Sequence, residues 1–240
     1  MVPAKYIFEE KFIQEKLIPC DDPTRLQLTD NSFVNSAVLF SIIPYEKRPY
    51  DLIIIHRTNK GTKHRGEMSF PGGKFDPRTD KNLLDTAIRE SIEEIGVCRE
   101  DITLLGCLND FPTMTKYIIT PFVAKINPNV KLVRQEREVQ EILKVPIDFF
   151  IKKINFREQT FKIGGKKFPV FYFTYKNSQS NKRYLIWGAT AFMIAQFIER
   201  VYDFNMSKLE VKRFNINQIV SLKNFLKYRD KITSELNDDI

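Results

Sequence analysis

Three glutamates fall within five residues, at Glu90, Glu93 and Glu94, just before Gly96. On a helix turning about 100° per residue, Glu93 and Glu94 lie within roughly 60° of Glu90 on either side. The apolar positions Leu84, Ile88, Ile92 and Ile95 gather on the opposite face, which is expected to pack on a sheet. Like charges at i, i+3 and i+4 repel and weaken a bare helix. A sequence that accepts this cost offers oxygen ligands suited to a hard divalent cation, Mg²⁺ or Mn²⁺. The competing reading is a solvated acidic face.

Two neighbouring features favour the metal reading. Phe70-Pro71-Gly72-Gly73 lies upstream, and glycines let the backbone approach a ligand closely enough to lend it a carbonyl. Arg89 precedes Glu90 and sits one turn before Glu93, where it can hold that carboxylate in a fixed orientation.

The elements that must position these groups follow from pattern. FVNSAVLFSII (33–43) and DLIIIHR (51–57) are β-branched and apolar and predict strands. A helix is expected from the region of Asp80–Leu83 to Gly96. ITLLGCLND (102–110) and YIITPFVAKI (117–126) predict two further strands, and 136–143 a helical turn or short helix before Val145-Pro146. Alternating runs on either side of Gly164-Gly165 predict a hairpin. Residues 189–204 are apolar at helical spacing, a further helix is expected between 218 and 236, and Trp187 is expected in the core. His56, alternating within an apolar strand, reads as a packed residue. The expected organisation is a lead-in over 1–30, one α/β domain over 31–204 and a helical tail over 205–240 packed on it.

Composition narrows the class. At 240 residues, with 42% hydrophobic and 28% charged residues, the chain is globular rather than disordered. No apolar run approaches the roughly 18 residues of a membrane helix. The acidic N-terminus does not read as a secretory signal. Three widely spaced cysteines (Cys20, Cys98, Cys107) without a CxxC pair argue against both a disulfide framework and a zinc ribbon, so a reducing, cytoplasmic setting is expected. Residues 151–183 hold nine Lys and Arg against Glu158 alone, so the net charge of +8 resides in this segment. Such a stretch suits a polyanion: a phosphorylated small molecule, nucleic acid or an anionic surface.

The spacing Gly73-x15-Arg89-Glu90-x2-Glu93-Glu94-x-Gly96-Val97 resembles the Nudix box, G-x5-E-x7-R-E-U-x-E-E-x-G-U with U aliphatic. Ser91 stands at an aliphatic position, and the stretch before Arg89 is two residues longer. The early glutamate is out of register, with Asp76 or Asp80 as candidate replacements. A longer box, F-P-G-G-x-x-D-P continuing through an aspartate to T-A-x-R-E, is similar to that of the coenzyme A pyrophosphatase branch. Here it reads Phe70-Pro71-Gly72-Gly73-Lys74-Phe75-Asp76-Pro77, Asp80, then Thr86-Ala87-Ile88-Arg89-Glu90. Arg57 and Gly66 upstream, and LNDFPTMTKYIITPFV and Ile186-Trp187-Gly188 downstream, also resemble that branch. Thr62 occupies the place of a second arginine usual there, with Lys63 and Arg65 close by.

The resemblance implies a Nudix-type α/β/α sandwich with a mixed sheet, carrying in addition the basic hairpin and C-terminal helices. It implies a hydrolase that cuts a diphosphate, with coenzyme A or acyl-CoA as substrate and Mg²⁺ or Mn²⁺ as cofactor. Glu90, Glu93 and Glu94 would be the metal shell, with the Gly72 carbonyl as an extra ligand. Glu90, Glu93, Arg89 and Glu138 would be catalytic. Glu141 is the alternative to Glu138 as distal carboxylate. Arg57, Lys63, His64 and Arg65 would bind substrate phosphates. Other readings keep the chemistry and change the substrate (ADP-ribose, a nucleoside triphosphate, a prenyl diphosphate), or make the chain a non-catalytic RNA- or anion-binding module. Nucleic acid is the less favoured partner, and homodimerisation stays open.

Overall fold

The computed structural model describes residues 6–58, 66–113, 115–163 and 166–207. In chain order its elements are α1 (Glu10–Lys16), β1 (Val34–Ile43), β2 (Asp51–Arg57), β3 (Met68–Ser69), β4 (Gly72–Lys74), α2 (Leu83–Ile95), β5 (Ile102–Cys107), β6 (Phe111–Pro112), β7 (Tyr117–Ile126), β8 (Val139–Pro146), α3 (Ile147–Ile151), β9 (Phe156–Ile163), β10 (Lys166–Lys176), β11 (Arg183–Trp187) and α4 (Gly188–Tyr202).

β1 runs parallel to β7 and antiparallel to β2 and β4, so the main sheet is mixed. Its path is β3-β2-β1-β7-β5, with β4, β6 and β8 paired at the side, and β9–β11 form a second, antiparallel sheet. The two faces of β1 and β2 are separated by strand alternation. Phe40, Ile42, Leu52 and Ile54 turn to the α4 side, where Phe40 stacks on Phe197 at 4.6 Å between ring centroids. Ala37, Leu39, Ile53 and Ile55 turn to the α2 side with Ala87 and Ile95. The result is helix, sheet, helix, with the second sheet alongside α4 in the larger core. The expected α/β/α sandwich and the hairpin strands are therefore both present.

Three expectations are corrected. Residues 139–146 are a strand, not a helical turn: β8 pairs antiparallel with β2, burying Val139, Leu143 and Val145. Tertiary pairing overrides a local charge pattern that also fits a helix. Trp187 is 45% exposed, because alternation along β11 buries Tyr184 and Ile186 instead. Cys20 and Cys107 form a disulfide. The lead-in folds back antiparallel beside β5, with Ile18 and Cys107 exchanging backbone hydrogen bonds, so two cysteines 87 residues apart meet. The bond removes the cysteine-based ground for expecting a reducing compartment. Among the described residues no helix is long and apolar enough to cross a membrane. The helix expected between 218 and 236 lies outside the described residues.

Candidate active site

α2 carries the glutamates, but its buried side is not the one the helical wheel selects. Thr86, Ala87, Ile88, Ser91, Glu94 and Ile95 are buried, while Ile92 is 42% exposed. The small residues Ala87 and Ser91 let the helix approach β1 and β4. Ser91 donates its hydroxyl to the Ala87 carbonyl at 2.7 Å, which explains how a serine is tolerated there. Turning the helix this way presses Glu90 and Glu94 against the glycine strand instead of projecting all three carboxylates into solvent.

Glu94 is 2% exposed and uses both oxygens. Oε1 accepts from Arg57 Nη1 at 2.7 Å and Oε2 from the Gly72 backbone N–H at 2.9 Å. Burial raises its pKa to about 7, against the opposing pull of Arg57 and the Gly72 amide. Gly72 thus presents its amide to Glu94, a role the sequence did not suggest for it. Its φ of +157° and close approach to β1 exclude a side chain: a Cβ would lie 2.3 Å from the Ala37 carbonyl oxygen. At Gly73 a Cβ would lie 2.3 Å from the Glu90 carboxyl carbon, so the absent side chain is the space the carboxylate occupies. Burial raises the pKa of Glu90, Arg89 opposes this, and Glu93 and Glu138 add to it.

Arg89 is the hub of a second cluster. Nε and Nη2 grip Asp80 at 2.7 and 3.0 Å, while Nη1 donates to Glu90 at 2.8 Å and Glu93 at 3.3 Å. Asp80 also accepts from the Thr86 hydroxyl and the Asp76 amide. The Arg89 guanidinium is the chief cause holding the Asp80 carboxyl well below the usual range, against the opposing effect of burial. Asp80, not Asp76, meets Arg89. Asp76 pairs instead with the exposed Arg78 at 2.6 Å.

The two distal candidates separate cleanly. A bulge between His56 and Arg57 sets His56 opposite Glu141 and Arg57 opposite Val139, skipping Gln140. Glu138 therefore reaches Arg57 Nη2 at 3.6 Å on the α2 side and remains 53% exposed. Glu141 faces the other way and accepts from Tyr184 at 2.7 Å and Lys182 at 3.1 Å. His56 Nδ1 lies 3.8 Å from Glu141, buried among these groups as the strand pattern suggested. Lys63, His64 and Arg65 lie outside the described residues. Arg57 binds Glu94 and approaches Glu138, a partnership the sequence reading missed; its place at the end of an apolar strand was the available signal.

Glu90, Glu93, Glu94 and Glu138 supply only carboxylate oxygens, the donors a hard divalent cation takes. Burial and mutual repulsion raise Glu90, so positive charge beside it is favoured. Among the described residues no three acidic, His or Cys side chains already stand together at ligand spacing. Glu93 and Glu138, both more than half exposed, have the freedom to close that gap. The donor set fits such an ion.

The NUDIX domain family model matches residues 36–162. The chain belongs to the Nudix family. A protein described as "Uncharacterized Nudix hydrolase NudL" from Photorhabdus laumondii is 30% identical over 179 residues, covering 75% of this chain and 90% of that protein. "Nudix hydrolase 22, chloroplastic" from Arabidopsis thaliana is 29% identical over 246 residues, covering 94% and 78%. A solved MutT/nudix family protein from Enterococcus faecalis aligns with a TM-score of 0.45 at 16% identity, covering 75% of this chain and 66% of that one. This Nudix protein is an enzyme that hydrolyses a diphosphate in a phosphorylated small molecule, the family's reaction, and the family generally works with divalent metal ions.

Proposed function

We propose that this enzyme cleaves the diphosphate of coenzyme A or acyl-CoA, giving phosphopantetheine or its acyl form and adenosine 3′,5′-bisphosphate. The observation that carries the reading is Asp80. The box is two residues longer than the general one, and the longer form that runs through an aspartate is the form the coenzyme A branch resembles. Asp80 grips Arg89 with both carboxylate oxygens, so the longer loop still supplies the arginine with its acidic partner.

In this reading Glu90, Glu93 and Glu94 hold Mg²⁺ or Mn²⁺. An ion bound there would polarise the attacking water and neutralise charge that builds on the phosphoryl oxygens. Arg89 orients Glu90 and Glu93, and Arg57 with the Gly72 amide fixes Glu94. Glu138, exposed beside Arg57, takes the proton from water as the new phosphorus–oxygen bond forms and the bridging oxygen leaves. Coenzyme A carries a 3′-phosphate besides its diphosphate, and Lys63 and Arg65, which follow Arg57 in the chain, suit that extra charge.

Product analysis tests the proposal. The protein is incubated with coenzyme A and Mg²⁺ or Mn²⁺ beside Glu94→Gln, with ADP-ribose, a nucleoside triphosphate and geranyl diphosphate in parallel. Metal-dependent release of adenosine 3′,5′-bisphosphate, lost in the variant, is expected. Turnover of only another diphosphate overturns the coenzyme A assignment and retains the chemistry.

A further inference from the structure

The outward face of the β9–β11 sheet takes no part in the site described above. Strand alternation turns Phe156, Phe171, Phe173, Tyr184 and Ile186 toward the protein interior. The opposite positions form cross-strand rows. Arg157, Tyr172 and Trp187 lie side by side in register, and Lys176 stands opposite Arg183 at the other end. Leu185 lies between Arg183 and Trp187 on β11 and is 51% exposed, beside Trp187 at 45%. The Tyr172 and Trp187 rings are parallel within 9° at 6.5 Å between centroids.

Charge on this face has one sign. Arg157, Lys176 and Arg183 are all exposed, and the turn from Asn177 to Lys182 carries no acid. Glu158, the lone acid of the basic segment, alternates to the other face and accepts from Ser207.

We propose that this face is a docking surface for an anionic lipid bilayer. Tryptophan and tyrosine favour the headgroup level of a bilayer, and lysine and arginine are drawn to its negative surface. An exposed leucine beside them buries into the acyl boundary. Aliphatic side chains have no such use against single-stranded nucleic acid, whose bases stack on aromatic rings. Leu185 therefore favours the bilayer. At about fivefold per basic side chain near an anionic surface, three cations strengthen binding on the order of a hundredfold over a neutral one.

Trp187 is the chain's single tryptophan, so it reports directly. The whole protein is titrated with vesicles of phosphatidylcholine alone and of phosphatidylcholine with phosphatidylserine, following tryptophan emission and vesicle flotation. A blue shift and flotation on the anionic vesicles, at least tenfold tighter than on neutral ones and weakened at high salt, are expected. Leu185→Asp and the double change Arg157→Glu, Arg183→Glu, at exposed positions that leave the melting temperature near that of the parent, should each lose at least tenfold. Absence of flotation, equal binding to both vesicles, or anionic binding unchanged in both variants overturns the proposal. So does a change in emission on adding an oligouridylate when vesicles give none. None of these readouts depends on which diphosphate is cleaved.

Discussion

Arg57 Nη1 stands 2.7 Å from Glu94 Oε1, and the pair ties the last residue of β2 to the last turn of α2. With Glu94 at 2% exposure, the carboxylate depends on that guanidinium and on the Gly72 amide for all its compensation. Burial already holds the Glu94 pKa at about 7, so without Arg57 the carboxyl takes up a proton and what is lost is the charge-assisted hydrogen bond. Arg57→Met should therefore lower unfolding free energy by about 2 kcal/mol. Glu94→Gln keeps an oxygen for the Gly72 amide and should cost about 1 kcal/mol. Chemical denaturation of both variants checks the order. Equal losses would mean that Arg57 does not serve the buried charge.

The paired glycines differ in what a methyl group would strike. At Gly72 the obstacle is backbone, the Ala37 carbonyl, and φ is +157° as well. Gly72→Ala should destabilise by about 2 kcal/mol or more, seen as a lower melting temperature. At Gly73 the obstacle is the carboxyl end of Glu90, a flexible side chain that can swing away. Gly73→Ala should fold almost normally while activity falls by tenfold or more, since Glu90 no longer sits where the site needs it. The comparison is a melting curve and a rate for each variant.

Asp80 acts on the site only through Arg89. Asp80→Asn keeps the shape but weakens the two-point grip on the guanidinium, and loss of such an outer partner typically costs 10–100-fold in metal affinity or activity. Reduced metal affinity, measured by isothermal titration, together with lower kcat is the expected result. The pH dependence has a definite sign. The Asp80 carboxyl is held well below the ordinary aspartate value of about 3.9, so its stabilising contribution is fully present above that value and is lost as pH falls through the lower, folded-state value. Asp80→Asn should accordingly make unfolding less sensitive to acid below about pH 4, which urea melts at pH 7 and pH 3 would read.

Much of this arrangement is legible in the chain because chemistry and spacing coincide. The continuous apolar, β-branched run in DLIIIHR predicts β2 with its stated bounds, and the glutamates with Gly96 predict α2. What the sequence hides is rotation and pairing. Ala87 and Ser91 look neutral on a helical wheel, yet their small size decides which side of α2 meets the sheet, leaving Ile92 exposed. Residues 136–143 carry a charge pattern that fits a helix until β2 is available as a partner. The Cys20–Cys107 bond depends on a chain reversal across 87 residues, which no local pattern encodes.

The bulge beside Arg57 makes a sharp test of the distal carboxylates. Glu138 points toward the glutamate cluster, whereas Glu141 is held by Tyr184 and Lys182 of the second sheet. A positioned general base contributes about 10²–10⁴-fold to rate. Glu138→Gln should lose activity in that range with an unchanged melting temperature. Glu141→Gln should keep activity within a few-fold and lower stability by about 1 kcal/mol, through weaker contacts to Tyr184 and Lys182. The reverse pattern would move the base to Glu141.

Two of the lead-in's anchors can be separated. Besides the Cys20–Cys107 bond, Arg25 Nη1 donates to Asp110 at 2.7 Å, with both side chains buried, and Asp110 also accepts from the Leu28 amide and the Thr120 hydroxyl. The disulfide closes a loop of 87 residues, for which the chain-entropy account gives about 4.6 kcal/mol, an upper figure for real proteins. Breaking the ion pair on one side costs a similar amount. Dithiothreitol, or Cys20→Ser, should therefore lower the melting temperature by several degrees while the site near α2 stays active. Asp110→Ala should do so even in the oxidised protein, because it strands Arg25. An unaltered melting curve on reduction, with thiol titration confirming that the bond had opened, would show that the remaining contacts, Arg25–Asp110 among them, hold the lead-in without the disulfide.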